Sequence, residues 1–151
     1  MTVEVVGADG MRALVGEAVG TSRWHPVDQG QVDRFADATG DHQWIHVDAE
    51  RAASSPFGST IVHGYLTLSL IPFFMKELWV VSGFTHGVNY GCARVRFPAP
   101  VPVGSRLRCT PVVDAVTDVP GGIQVELRAT IEIEGTTKPA CVATVLYRYF
   151  S

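Results

Sequence analysis

Lysine is nearly missing from this chain: 2 Lys accompany 10 Arg, and the formal net charge is −3. A weakly acidic chain has no general electrostatic attraction to nucleic acid phosphates. Cysteine is also sparse. Cys92, Cys109 and Cys141 are odd in number, widely spaced and form no CxxC pair, which excludes a zinc ribbon and a disulfide framework. Each lies in a strand-like run, so all three are expected to be reduced core thiols behaving as small hydrophobes. No apolar run approaches the ~20 residues that a membrane-crossing helix needs. The first ten residues, MTVEVVGADG, lack a basic segment followed by an apolar one. No signal peptide is therefore expected, and a soluble, cytoplasmic protein is. Repeats, low-complexity tracts and Pro/Gly/Ser linkers are absent as well.

What is present is one ordinary domain, expected to span residues 1–151. Hydrophobic residues make up 46% and charged residues 18%, a globular balance at a length that supports a core without staples. Charge is uneven. Residues 1–57 hold 9 acids and 4 bases, and residues 58–151 hold 6 acids and 8 bases.

The two halves differ in texture. Residues 13–27 read as extended. Asp28-Gln29-Gly30-Gln31 has the shape of a capping box, Val32, Phe35 and Ala36 follow at helical spacing, and Gly40 is a natural left-handed stop. Asp48 caps a second, short helix, and residues 54–60 read as loop. From His63 to about Trp79 the chain is apolar on every side, which predicts one helix buried all round and bent at Pro72. Residues 124–134 alternate without error, predicting a half-buried antiparallel strand. Residues 88–97, 106–117 and 141–150 are also strand-like, with turns at Pro120-Gly121-Gly122 and Gly135-Thr136. A curled antiparallel sheet around a central helix satisfies this order. The expected fold is α+β, a hotdog.

Three constellations could carry chemistry. In Gly40-Asp41-His42-Gln43-Trp44-Ile45-His46, a turn can aim a carboxylate and an imidazole at one water, dividing proton transfer between them. The same pattern is consistent with Asp41 closing a turn and His46 packing beneath the next helix. In Ile61-Val62-His63-Gly64-Tyr65, the free amides of a helix start suit a developing oxyanion, and Gly64 allows close approach. Tight packing at Gly64 and a buried hydrogen bond at His63 are the alternative. Arg94, Arg96, Arg106 and Arg108 fall in a stretch without acids and suit either phosphate binding or a solvated strand face. His42 and His46 stand at i and i+4, but Gly40 breaks a helix there and no third ligand follows, so no metal is expected. No strand–GxSxG–helix elbow supports a serine nucleophile.

The run Gly40-Asp41-His42-Gln43-Trp44-Ile45-His46 resembles the Gly-Asp-x-Asn-Pro-Leu-His signature of the MaoC-like (R)-specific enoyl-CoA hydratases. Ile61-Val62-His63-Gly64 resembles that family's second block, and Val95 to Gly104 its strand–turn–strand passage. The resemblance covers roughly residues 13–150. Gln43 and Trp44 depart from the usual Asn and Pro, which bears on loop positioning and acyl specificity.

The resemblance implies reversible hydration of trans-2-enoyl-CoA to (R)-3-hydroxyacyl-CoA, a lyase reaction of fatty acid metabolism. It puts Asp41 and His46 in the catalytic positions, one removing a proton from water and the other delivering one to the α-carbon. The Gly64 amide takes the thioester-oxygen position. Gln43, Trp44, His63, Tyr65 and the four arginines would contact substrate, with Trp44, Tyr65 and Leu68 beside an acyl tunnel. No cofactor is implied, because the thioester itself activates the β-carbon. A homodimer or dimer of dimers is expected, and an acyl carrier protein thioester could replace the CoA substrate. A hotdog thioesterase and a non-catalytic acyl-binding module are the alternatives.

Overall fold

The computed structural model describes residues 1–151. The elements run β1 (Val3–Val6), α1 (Gly7–Arg12), β2 (His25–Pro26), α2 (Gln29–Thr39), α3 (Trp44–Val47), α4 (Ala49–Ala53), α5 (Gly64–Ser69), α6 (Ile71–Leu78), β3 (Trp79–Ser82), β4 (His86–Arg96), β5 (Arg106–Val119), β6 (Gly122–Ile133) and β7 (Cys141–Phe150). The last four strands pair antiparallel, with β2 on one edge, in the order β2-β5-β6-β7-β4. A small parallel pair, β1 with β3, completes the fold. This is the hotdog architecture: a curled sheet laid around the α5–α6 helix.

Alternation decides which face of the sheet is covered. Ile123, Val125, Leu127, Ala129, Ile131 and Ile133 of β6 are all buried, because period-two side chains point to one face. Leu107, Cys109 and Val113 of β5 and Cys141, Ala143 and Val145 of β7 extend that layer. Ile71, Phe74, Met75 and Leu78 of α6 pack into it. Burial pushes the Cys109 thiol up to about 12 and the Cys141 thiol up to about 11, so both are inert packing groups. Cys92 differs. It lies exposed on β4, contrary to the expectation of three core thiols, because β4 is the edge strand and, apart from Val95, its residues are left uncovered.

The caps follow the sequence. Asp28 Oδ1 accepts the Gln31 N–H at 2.8 Å, and Gly40 closes α2 at φ 80°. Asp48 caps α4 through the Arg51 N–H at 3.0 Å. Pro120-Gly121 links β5 to β6, with Gly121 at φ 80°. Residues 13–17 turn, contrary to the expected extended run over 13–27, and only the part from about residue 18 runs extended beside β5; Gly16, Val19 and Ser22 donate backbone N–H groups to that strand.

Two expectations need correction. The central helix is two segments joined at Leu70, with Pro72 in the first turn of the second. Pro72 has no N–H to donate to the turn before it, so the ladder breaks there. Nor is the helix buried all round. Leu66, Thr67, Leu70, Ile71, Phe74 and Met75 face the sheet, whereas Tyr65, Ser69, Pro72, Phe73 and Lys76 form an exposed stripe. The sheet covers one side of the helix only, and β4 overhangs beyond it. No helix is long and apolar enough to cross a membrane.

Candidate active site

Asp41 lies one residue past the left-handed Gly40 that ends α2. His46 lies in the short α3, which begins at Trp44. These two elements and the start of α5 converge, so that one ligating atom each from Asp41, His46 and His63 lie within 4.8 Å of one another. Asp41 is exposed, and its Oδ1 accepts the Gln43 N–H at 3.4 Å. His46 and His63 are buried.

The His46 ring has a defined proton arrangement. Its Nδ1 is 2.7 Å from the Ile61 carbonyl oxygen. A carbonyl can only accept, so Nδ1 carries the proton and Nε2 keeps its lone pair. Burial is the main reason that the His46 pKa is held below its ordinary value; the neighbouring His63 adds to this, and the Ile61 bond and Asp41 oppose it. The backbone is fixed too. Gln29 Nε2 donates to the His46 carbonyl at 2.8 Å, and Thr60 Oγ1 donates to Gln29 Oε1 at 2.6 Å. The result is a neutral imidazole whose free nitrogen can accept a proton.

His63 lies immediately before α5 and Gly64 is its first residue, where an N–H has no preceding turn to bond to. The Phe97 ring covers Gly64 so closely that a Cβ there would meet it at 3.0 Å. His46, Gly64, Thr67, Val62, Phe97 and Ala140 are among the residues lining one cavity of about 310 Å³. A proton acceptor and a helix-start amide therefore border an apolar chamber, and the Asp41 carboxylate lies next to that acceptor just outside the chamber's lining. Such a set can activate water beside a carbonyl compound.

As a metal site the cluster is short of donors. His63 Nε2 is spent on the Asp41 carbonyl at 3.0 Å, and its Nδ1 is sealed in the interior. Asp41 and His46 Nε2 remain, fewer than the three protein ligands usual for catalytic zinc. His42 turns away and bonds Asp37 at 2.9 Å.

The other expected substrate contacts are scattered. Gln43 is exposed before α3. Trp44 is half-buried beneath Arg51, whose guanidinium carbon is 4.3 Å from its ring centroid, and it does not line the cavity. Tyr65 is 71% exposed and meets the edge of Phe97. Leu68 lines a different groove, between the central helix and β4. The four arginines form no cluster. Arg94 and Arg96 pair across from Thr144 and Val142, and Arg106 and Arg108 from Pro26 and Glu132. All four are on the sheet's outer face, and β6 and β7 separate the two pairs. Arg106 bonds Glu134 at 3.1 Å, and Arg108 bonds Glu132 at 2.7 Å while capping Trp24. Sequence gave no sign of Phe97, Thr67 or the Ile61 carbonyl, whose roles depend on long-range folding.

Known proteins resemble this chain in sequence and in fold. The family model described as MaoC like domain matches residues 11–134. The 3-hydroxyacyl-thioester dehydratase Z of Mycobacterium tuberculosis is 52% identical over 140 residues, 92% of this chain and 93% of that protein. Nodulation protein N of Rhizobium meliloti is 43% identical, over 87% of this chain and 83% of its own. The solved (R)-hydratase from A. caviae superposes with a TM-score of 0.72 at 22% identity, covering 88% of this chain and 94% of that one. Fold, motif spacing and relatives agree, and the chain belongs to the MaoC-like domain family of hotdog proteins.

Proposed function

We propose that this protein catalyses the reversible hydration of trans-2-enoyl thioesters to 3-hydroxyacyl thioesters, with coenzyme A as the carrier and the (R)-alcohol as product. The observation that carries this reading is the convergence of Asp41 with His46, a residue that lines the Gly64 cavity and whose Nδ1 is committed to the Ile61 carbonyl. The dehydratase relative, matched along almost its whole length, supports the reaction class over thioester hydrolysis.

In the hydration direction, Asp41 and His46 hold one water between them. The water oxygen bonds to the β-carbon as His46 Nε2 takes one of its protons. The Asp41 carboxylate accepts the other hydrogen bond and offsets the charge of the new imidazolium. The electron pair of the double bond moves toward the thioester carbonyl, where the Gly64 N–H meets the developing oxyanion. The imidazolium then returns its proton to the α-carbon. One water is consumed, and His46 ends as it began. Dehydration is the same sequence reversed.

The protein works as a dimer. β4 pairs with β7 on one side only, leaving its other edge free, and unpaired strand edges need covering. Its exposed inner face and the Tyr65–Lys76 stripe of the helix form one continuous uncovered surface that a second copy would close. Sedimentation should give a dimer or larger at micromolar concentration, and a stable monomer would overturn this part. The reaction is tested by absorbance loss of crotonyl-CoA and of a longer 2-enoyl-CoA, with chiral analysis of the product. Release of free thiol without hydration would overturn the reading.

A further inference from the structure

His63 is not among the residues bordering the cavity, yet it touches every part that must be aligned for the reaction above. Its ring is sandwiched. His46 stacks on it at 3.8 Å between centroids with 24° between planes, and Phe35 of α2 packs against it at 4.8 Å. Its Nε2–H donates to the Asp41 carbonyl at 3.0 Å. Its own backbone leads directly into Gly64. At 2% exposure it has no open path to a substrate.

These contacts close a circuit. The Asp41 turn has few other anchors: the Thr39 hydroxyl accepts the Asp41 N–H only at 3.4 Å, and the side chain is exposed. The Asp41 carbonyl is held by His63. The Ile61 carbonyl fixes the His46 ring at Nδ1, but its plane is set by the flat face beside it. The donor to the oxyanion is the next amide along from His63. One side chain thereby references the carboxylate, the imidazole and the amide to a common frame.

We infer that His63 is a positioning residue that locks Asp41 and His46 to the start of α5, and that it makes no substrate contact. The inference rests on the hydratase reading of the site. Displacements of about 1 Å within such a constellation cost on the order of 10²-fold in rate. Because His63 acts only through its neighbours, its loss lowers kcat and leaves KM nearly constant.

The test uses three variants of the full-length protein. His63→Phe keeps the flat face and removes the donor. His63→Gln keeps a donor and removes the face. Phe35→Leu loosens the far wall without altering any hydrogen bond at the site. With crotonyl-CoA, both His63 variants should lose about 10- to 100-fold in kcat, and Phe35→Leu several-fold, all with KM within about twofold of wild type. In an Asp41→Asn background, His63→Phe should add less than about threefold, since residues acting as a unit are not additive.

A raised KM with kcat intact would make His63 a substrate contact. Unchanged kcat in the folded variants, or a fully multiplicative loss in the double variant, would reduce it to a packing residue. Should both His63 variants fail to fold, normal kcat in Phe35→Leu would overturn the inference and a reduced one would sustain it. If the wild type itself does not hydrate enoyl thioesters, the reaction reading fails first. In that case the His46 ring resonances in ¹⁵N spectra of wild type and Phe35→Leu decide the geometry: unaltered shifts refute the coupling, and altered ones support it.

Discussion

Replacing His46 by Gln separates chemistry from packing, because the two roles of this side chain have different sizes. A Gln amide can still donate to the Ile61 carbonyl, so the hydrogen bond now at 2.7 Å survives. What the fold loses is the ring stack on His63 at 3.8 Å, worth about 0.5–1.5 kcal/mol for an aromatic pair. At about 2–4 °C per kcal/mol for a chain of this size, Tm should fall by roughly 1–6 °C. The reaction loses its proton acceptor altogether. General acid–base groups contribute about 10²–10⁴ in rate, or about 2.7–5.4 kcal/mol of barrier at 1.36 kcal/mol per decade. Crotonyl-CoA hydration should therefore collapse in a protein that melts almost normally. The wild type should also lose activity in acid, with its midpoint below 6.5, because burial lowers the His46 pKa from that value and only the neutral ring accepts a proton. Stability follows the same sign. The unfolded chain protonates this histidine first, so stability declines as pH falls from about 6.5 toward the folded-state pKa. A folded His46→Gln protein that hydrates crotonyl-CoA at the wild-type rate would refute the reasoning.

Gly64→Ala should cut kcat at least tenfold, because the new Cβ meets the Phe97 ring at 3.0 Å and displaces the helix-start amide; pairing it with Phe97→Leu should restore part of the rate, measured in the same assay. Trp44→Ala should leave the chain-length profile unchanged, since Trp44 lies under Arg51 outside the cavity, whereas Ala99→Leu, in its wall, should favour shorter acyl groups in competition between enoyl-CoA lengths. Arg106→Gln and Arg108→Gln should not raise KM, because both guanidinium groups are committed to Glu134 and Glu132 on the outer face.

The sequence made β6 legible because one face is fully buried and the other is not, so its alternation was unbroken. The α2 and α4 caps were legible because Asp28 and Asp48 act within three residues of themselves. β1 and β3 escaped notice: four residues each, parallel and far apart in the chain, they give too short a pattern to read. The α5–α6 helix misled for a different reason. Apolarity marks a surface to be covered but not what covers it, and the exposed Tyr65 and Phe73 point outward from this single chain. At the site, Asp41, His46 and Gly64 were carried by two short motifs. The Ile61 carbonyl that sets the His46 tautomer has no side-chain signature, and the arginines looked like a cluster only because strands adjacent in sequence need not be adjacent in the sheet.

The free strand at the sheet's margin is also uneven. Its register with β7 slips twice, between Asn89 and Gly91 and between Cys92 and Arg94. Each slip is a bulge, which bends a strand and sharpens its local twist. A flat strand follows such an outline poorly for more than a few residues. The irregularity therefore blunts this bare edge against indiscriminate strand addition.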